Sequence, residues 1–151
     1  MRRFDRRGSG HSALALALLL PLGADHARAS IADDAPSAVT LPSGSLPTEA
    51  AGIRKVLEAY IRAVEAKDVG MFRTVKPNLS EEEERRVRTA FKSVQSQIVK
   101  MNVLSVDVKD AKATVMVARR DTINGSIVSS FPQTFQLAKE PAGWTIQDIG
   151  R

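Results

Sequence analysis

Asp121 and Tyr60 are the two residues of the chain best placed for acid–base work. Tyr60 falls on an apolar stripe with Ile53, Val56, Leu57, Ile61 and Val64, at the three- and four-residue spacing of a helix face. Asp121 shares strand parity with Val115, Val117 and Arg119, which points it inward near the end of its strand. A carboxylate desolvated there could serve as a base, with the Tyr60 hydroxyl donating to a developing enolate. Plainer readings stand beside this one: a core tyrosine whose hydroxyl reaches the rim, and a solvated acid before a hairpin, paired with Arg119. Phe72, Arg119, Gln133 and Trp144 join Tyr60 as residues able to line or rim a ligand cleft, giving apolar walls with a few polar anchors. Arg119 suits an anionic group, and Trp144 suits a structural plug better than a ligand platform.

Other chemistries have less to work with. Both histidines, His11 and His26, lie within residues 1–29, and the chain has no cysteine. Ser129 and Ser130 are adjacent on a predicted strand, with no histidine left to activate them. A metal would have to use carboxylates alone, such as Asp107 with Asp110, and that spacing straddles a turn. No glycine-rich phosphate loop is present. The reading therefore predicts no metal and no cofactor.

Residues 1–29 read as a cleavable export signal. Arg2, Arg3, Arg6 and Arg7 precede an unbroken apolar run from Ala13 to Leu20, and Ala27-Arg28-Ala29 offers small residues at the positions a signal peptidase reads. Cleavage after Ala29 predicts a periplasmic or secreted protein beginning at Ser30. The apolar run is much shorter than the ~20 residues that cross a bilayer, so no membrane span is expected after cleavage. The whole chain has 22 basic and 17 acidic residues, net +5. Five arginines and two aspartates belong to residues 1–29, which leaves 17 basic and 15 acidic residues, net +2. No concentrated basic face survives, so nucleic acid is not an expected partner.

The elements that must position the candidate residues follow in order. Residues 30–47, rich in Ala, Ser, Pro and Asp, read as a flexible linker, and residues 48–151 as one domain. A first helix is predicted over Thr48 to Lys67, closed by Asp68-Val69-Gly70, then a short helix around Met71, Phe72 and Val75 ended by Pro77. Ser80-Glu81-Glu82-Glu83 is a capping box that starts a third helix, whose buried stripe is predicted as Val87, Phe91, Val94 and Ile98. The period then falls to two. Leu104, Val106 and Val108 are predicted on one face of a first strand, with Lys109 to Lys112 as a turn. Asn124-Gly125 marks a hairpin after a second strand from Ala113 to Ile123. A long strand carries Ile127, Phe131, Phe135 and Leu137 on one face, and Pro132 within it calls for a bulge or an edge. A turn at Glu140 to Gly143 leads to a last strand with Trp144, Ile146 and Ile149. This order predicts an α+β fold, N-terminal helices against a curved antiparallel four-stranded sheet with a cleft at its open end.

Three stretches, AYIRAVEAKDVGMFRTVKPNLS (59–80), KATVMVARRDT (112–122) and FPQTFQLAKEPAGWTIQDIGR (131–151), resemble bacterial exported members of the nuclear transport factor 2-like superfamily, which includes SnoaL-like proteins. The resemblance spans Ile53 to Arg151 and implies a cone-shaped cystatin-like fold, with a homodimer formed through the sheet. Enzymes of that superfamily rely on Asp, Tyr or His inside the cone; many members are non-catalytic modules. The expected function is an exported non-catalytic domain that binds a small apolar or amphipathic ligand or a protein partner. The alternative is an isomerase, cyclase or dehydratase using Asp121 as its base.

Overall fold

The computed structural model describes residues 47–150; the expected signal and the expected linker up to residue 46 lie outside the described residues, and Pro47, expected as the end of the linker, begins the first helix. Three helices, α1 (Pro47–Glu65), α2 (Val69–Val75) and α3 (Glu81–Ser93), precede four strands, β1 (Gln97–Lys109), β2 (Lys112–Ile123), β3 (Ile127–Glu140) and β4 (Gly143–Gly150). The strands form one antiparallel meander in the order β1-β2-β3-β4. The predicted α+β architecture is therefore the observed one.

The apolar stripe of α1 lies across the inner face of the sheet, where Ile53, Leu57, Tyr60 and Val64 are buried. Each such side chain contributes about 1.5–3 kcal/mol by leaving water. Trp144 covers the start of α1 and packs on Gly52, where a Cβ would stand 2.7 Å from Trp144 Cδ1. That close approach is why a glycine sits inside this helix. At the other end Lys67 takes φ 53°, and Asp68 N donates to Ala63 O at 3.0 Å, which closes α1 as a left-handed C-cap. Glu65 Oε1 accepts from Val99 N at 2.8 Å and ties that end to β1. The capping box forms as predicted: Glu83 N donates to Ser80 Oγ at 3.2 Å and Ser80 N to Glu83 Oε2 at 2.8 Å.

Several predicted placements differ from those found. The third helix stops at Ser93, because Val94 is extended at φ −122°, ψ 142°. Asn124 Oδ1 then accepts from Gln95 N and Ser96 N at 2.9 and 3.2 Å. That bond pair turns the chain into β1, so Ile98 becomes an exposed strand residue instead of a helix contact. In β1 the register shifts between Val103 and Ser105, so Leu104 bulges outward while Val103 is buried. A second shift, between Gln136 and Leu137 of β3, leaves Gln147 of β4 without a partner and lets both Ile146 and Ile149 face the core. Of the two devices expected at Pro132, the edge is present: β4 pairs with β3 only from Thr134 onward. Ile127 is exposed, apart from the buried Phe135 and Leu137. The Asn124-Gly125 turn has φ 52° and 74°, both in the left-handed region that this dipeptide tolerates.

Candidate functional site

Where the sheet narrows from four strands to three, its inner face carries a polar cluster. Arg119 and Asp121 lie two residues apart on β2 and so point the same way, at 1% and 4% exposure. Their side chains meet as a two-pronged ion pair: Arg119 Nε donates to Asp121 Oδ1 at 2.7 Å, and Nη2 to Oδ2 at 2.8 Å. The remaining prong, Nη1, donates to Tyr60 Oη at 2.8 Å and to Gln133 Oε1 at 3.2 Å. Gln97, at the start of β1, adds a bond from Nε2 to Asp121 Oδ2 at 2.8 Å. One guanidinium thus joins α1, β2 and β3, and β1 is joined through the carboxylate. The Arg119 Cζ also stands 5.7 Å from the Tyr60 ring centre and 5.5 Å from that of Phe131.

The electrostatics follow from this geometry. Burial works against the charged form of Arg119, but Tyr60 and Asp121 outweigh it and hold the guanidinium above its ordinary value. The pair is neutral as a whole and fully hydrogen-bonded, the condition under which a buried ion pair is tolerated. Among the described residues no buried side-chain nitrogen or oxygen lacks a partner.

The structure brings Tyr60, Arg119, Gln133 and Asp121 into one cluster. Phe72 stands behind it, its ring 5.5 Å from Tyr60 and 6.1 Å from Phe91; Phe135 meets Tyr60 edge-on at 5.1 Å. Trp144 is elsewhere, at the far end of α1, where its Nε1 donates to Glu49 Oε2 at 3.0 Å. Glu49 also accepts from Lys139, which, with the Trp144 bond, holds its carboxyl below the ordinary range.

Two residues escaped the sequence reading, one inside the cluster and one apart from it. Gln97 extends the inward alternation of Val99 and Met101 one step upstream, a signal hidden by assigning Ile98 to the helix. Lys76 is a second buried cation, at 2% exposure. Its Nζ donates to Asn78 Oδ1 at 3.0 Å and Gln147 O at 3.3 Å, and lies 3.5 Å from Glu83 Oε1. A lysine before a proline in a loop carries no sequence mark of burial; its partners come from the loop, from α3 and from the bulge of β4. Among the described residues no three acidic side chains gather as a metal site.

A protein from Kribbella flavida superimposes with a TM-score of 0.58 at 12% identity, over 68% of this chain and 88% of its own. A domain of unknown function with a cystatin-like fold from Nostoc punctiforme gives 0.58 at 17%, over 70% and 76%. A dehydratase candidate of the nuclear transport factor 2-like family from Streptomyces avermitilis gives 0.56 at 11%, over 68% and 93%. The fold is that of the nuclear transport factor 2-like, or cystatin-like, superfamily. No family model and no curated protein matches the sequence. Structures sharing the nuclear transport factor 2-like fold include both domains of unknown function and enzyme candidates, so the activity must be argued from the cluster itself.

Proposed function

We propose that the chain is an exported, non-catalytic binding domain for a small apolar or amphipathic molecule. The observation that carries this reading is the state of Asp121. Both of its oxygens accept from Arg119, and one accepts from Gln97 as well. A base must present a lone pair to a substrate proton within hydrogen-bond reach. Here Arg119 and Gln97 take three of the about four lone-pair sites of the carboxylate, and freeing it would leave two buried charges unpaired. Catalysis by Asp121 would require that rearrangement in every turnover.

The cluster is better equipped to recognise than to react. Tyr60 Oη accepts from Arg119, which leaves its own proton to donate, beside the Nη1 that Arg119 shares between Tyr60 and Gln133 Oε1. With Phe72 and Phe135 behind them, these donors suit a ligand with an acceptor group on an apolar body. Export rests on residues 1–29, with Ser30 as the mature N-terminus.

Solvent deuterium exchange into cyclohexanone, followed by NMR, tests the first part. The protein should add nothing to the buffer rate; exchange that is accelerated by the protein and lost in Asp121→Asn would overturn the reading in favour of the enzyme. Native mass spectrometry of purified protein should show a retained small molecule that is lost in Tyr60→Phe. N-terminal sequencing of material collected outside the cytosol should begin at Ser30; an intact Met1 there contradicts export by cleavage.

A further inference from the structure

The outer face of the sheet breaks a rule of strand pairing. Lys100 of β1 and Arg120 of β2 are directly opposite each other and both point outward. Like charges placed so oppose sheet formation, and neither has an acidic partner among the described residues. Ser130 of β3 continues the row beside Arg120. The next row is Asn102, Ala118 and Pro132; the one after is Ser105, Met116 and Thr134, with Leu104 bulging beside it. Rows on one face are two residues apart, about 7 Å. The two cations and the hydroxyl thus stand between apolar residues on both sides: Ile98 and Val128, 51% and 50% exposed, one row away, and, over a methyl group and a proline ring, Met116 and Leu104, 44% and 50% exposed. A concavity of about 570 Å³ opens over the first two rows, lined by residues 100–102 of β1, 118–120 of β2 and 130–132 of β3, Arg119 among them.

We infer that this outer concavity is a second binding site, for a single-chain amphiphile with an anionic head. The carboxylate sits between Lys100 and Arg120 and accepts from Ser130; the apolar body lies along Ala118 and Pro132 toward Met116. Such an anion offsets the repulsion that the bare sheet carries between the two cations. The volume falls within the roughly 300–1,000 Å³ of small-molecule sites. The inference rests on reading the chain as a binding domain, but not on the interior anchor, which belongs to the opposite face.

Decanoate, titrated calorimetrically below its micellar concentration, is the probe. It should fill one saturable site that acetate (the head alone) and decanol (the body alone) do not fill. Lys100→Glu and Arg120→Glu, both exposed and remote from the core, should each weaken it by about tenfold or more, equivalent to ~1.4 kcal/mol. Met116→Asp should weaken it too, and Tyr60→Phe should not. Retained binding in the Lys100→Glu, Arg120→Glu double variant overturns the site. Loss in Tyr60→Phe instead moves the ligand to the interior anchor, which sinks the outer site and leaves the binding-domain reading standing. Failure of decanoate together with co-sedimentation on phosphatidylglycerol vesicles overturns it in favour of a bilayer surface. A stable dimer that Met116→Asp dissociates overturns it in favour of a second copy of the chain. Absence of any saturable decanoate binding overturns it outright.

Discussion

Among the described residues two cations are buried, and their surroundings differ. Arg119 is held only by side chains, drawn from α1, β2 and β3, and its charge is matched at close range by Asp121. Lys76 is held by a loop amide and a backbone carbonyl, with Glu83 farther off at 3.5 Å. The lysine is a staple that fixes the α2–α3 loop to the bulge of β4. The arginine is the centre of a side-chain network at the end where the sheet loses its fourth strand, in which the Tyr60 hydroxyl keeps its own proton to donate. The difference is one backbone carbonyl: Gln147 O ties Lys76 to the main chain of β4, whereas every partner of Arg119 is a side chain.

The contrast can be broken most severely at Arg119. Arg119→Met leaves Asp121 buried without its partner and should cost about 3–5 kcal/mol in urea unfolding. Packing at the opposite end of α1 comes next. Gly52→Ala drives a methyl group into Trp144 and should cost about 1–3 kcal/mol, with tryptophan emission shifted as the Glu49 bond is lost. Lys76→Met should cost less, about 1–2 kcal/mol, because Asn78 Nδ2 still donates to Gln147 O at 2.8 Å and Ser80 N to Glu83. If Lys76→Met proves as costly as Arg119→Met, the two cations are equivalent and the contrast fails.

The smallest effect is on pH dependence. Burial raises the Glu83 pKa, but the Ser80 bonds and Lys76 outweigh it and leave the folded pKa below its ordinary 4.5. The carboxylate form is thus the one folding favours. Its contribution is complete above the unfolded pKa and is lost as pH falls through the folded one. Stability should decline below about pH 4.5, and Glu83→Gln should flatten that decline in thermal melts taken across the acid range.

The helices and the meander were legible because their signals are local: the α1 stripe, the Ser80 capping box, the Asn124-Gly125 turn. The two bulges were not, because one unpaired residue changes which side Leu104 or Gln147 faces without altering the residue types around it. The site was legible in part. Strand parity alone places Arg119 beside Asp121, and helix periodicity places Tyr60 inside. That Arg119 grips both Asp121 oxygens depends on the rotamers the two β2 side chains adopt, and that Tyr60 meets the remaining prong depends on the distance between α1 and β2; no spacing in the sequence reports either. Of the two readings the sequence offers for Trp144, cleft wall and structural plug, it takes the second: it packs on Gly52 at the other end of α1.

The interior clamp is tested most directly by a double-mutant cycle on urea unfolding, with Arg119→Met, Asp121→Leu and both together. The pair should be coupled by about 2–3 kcal/mol, the double variant being more stable than Arg119→Met alone because no charge is stranded. Additive losses would mean that the guanidinium and carboxylate do not neutralise each other, and that Asp121 is open to other partners.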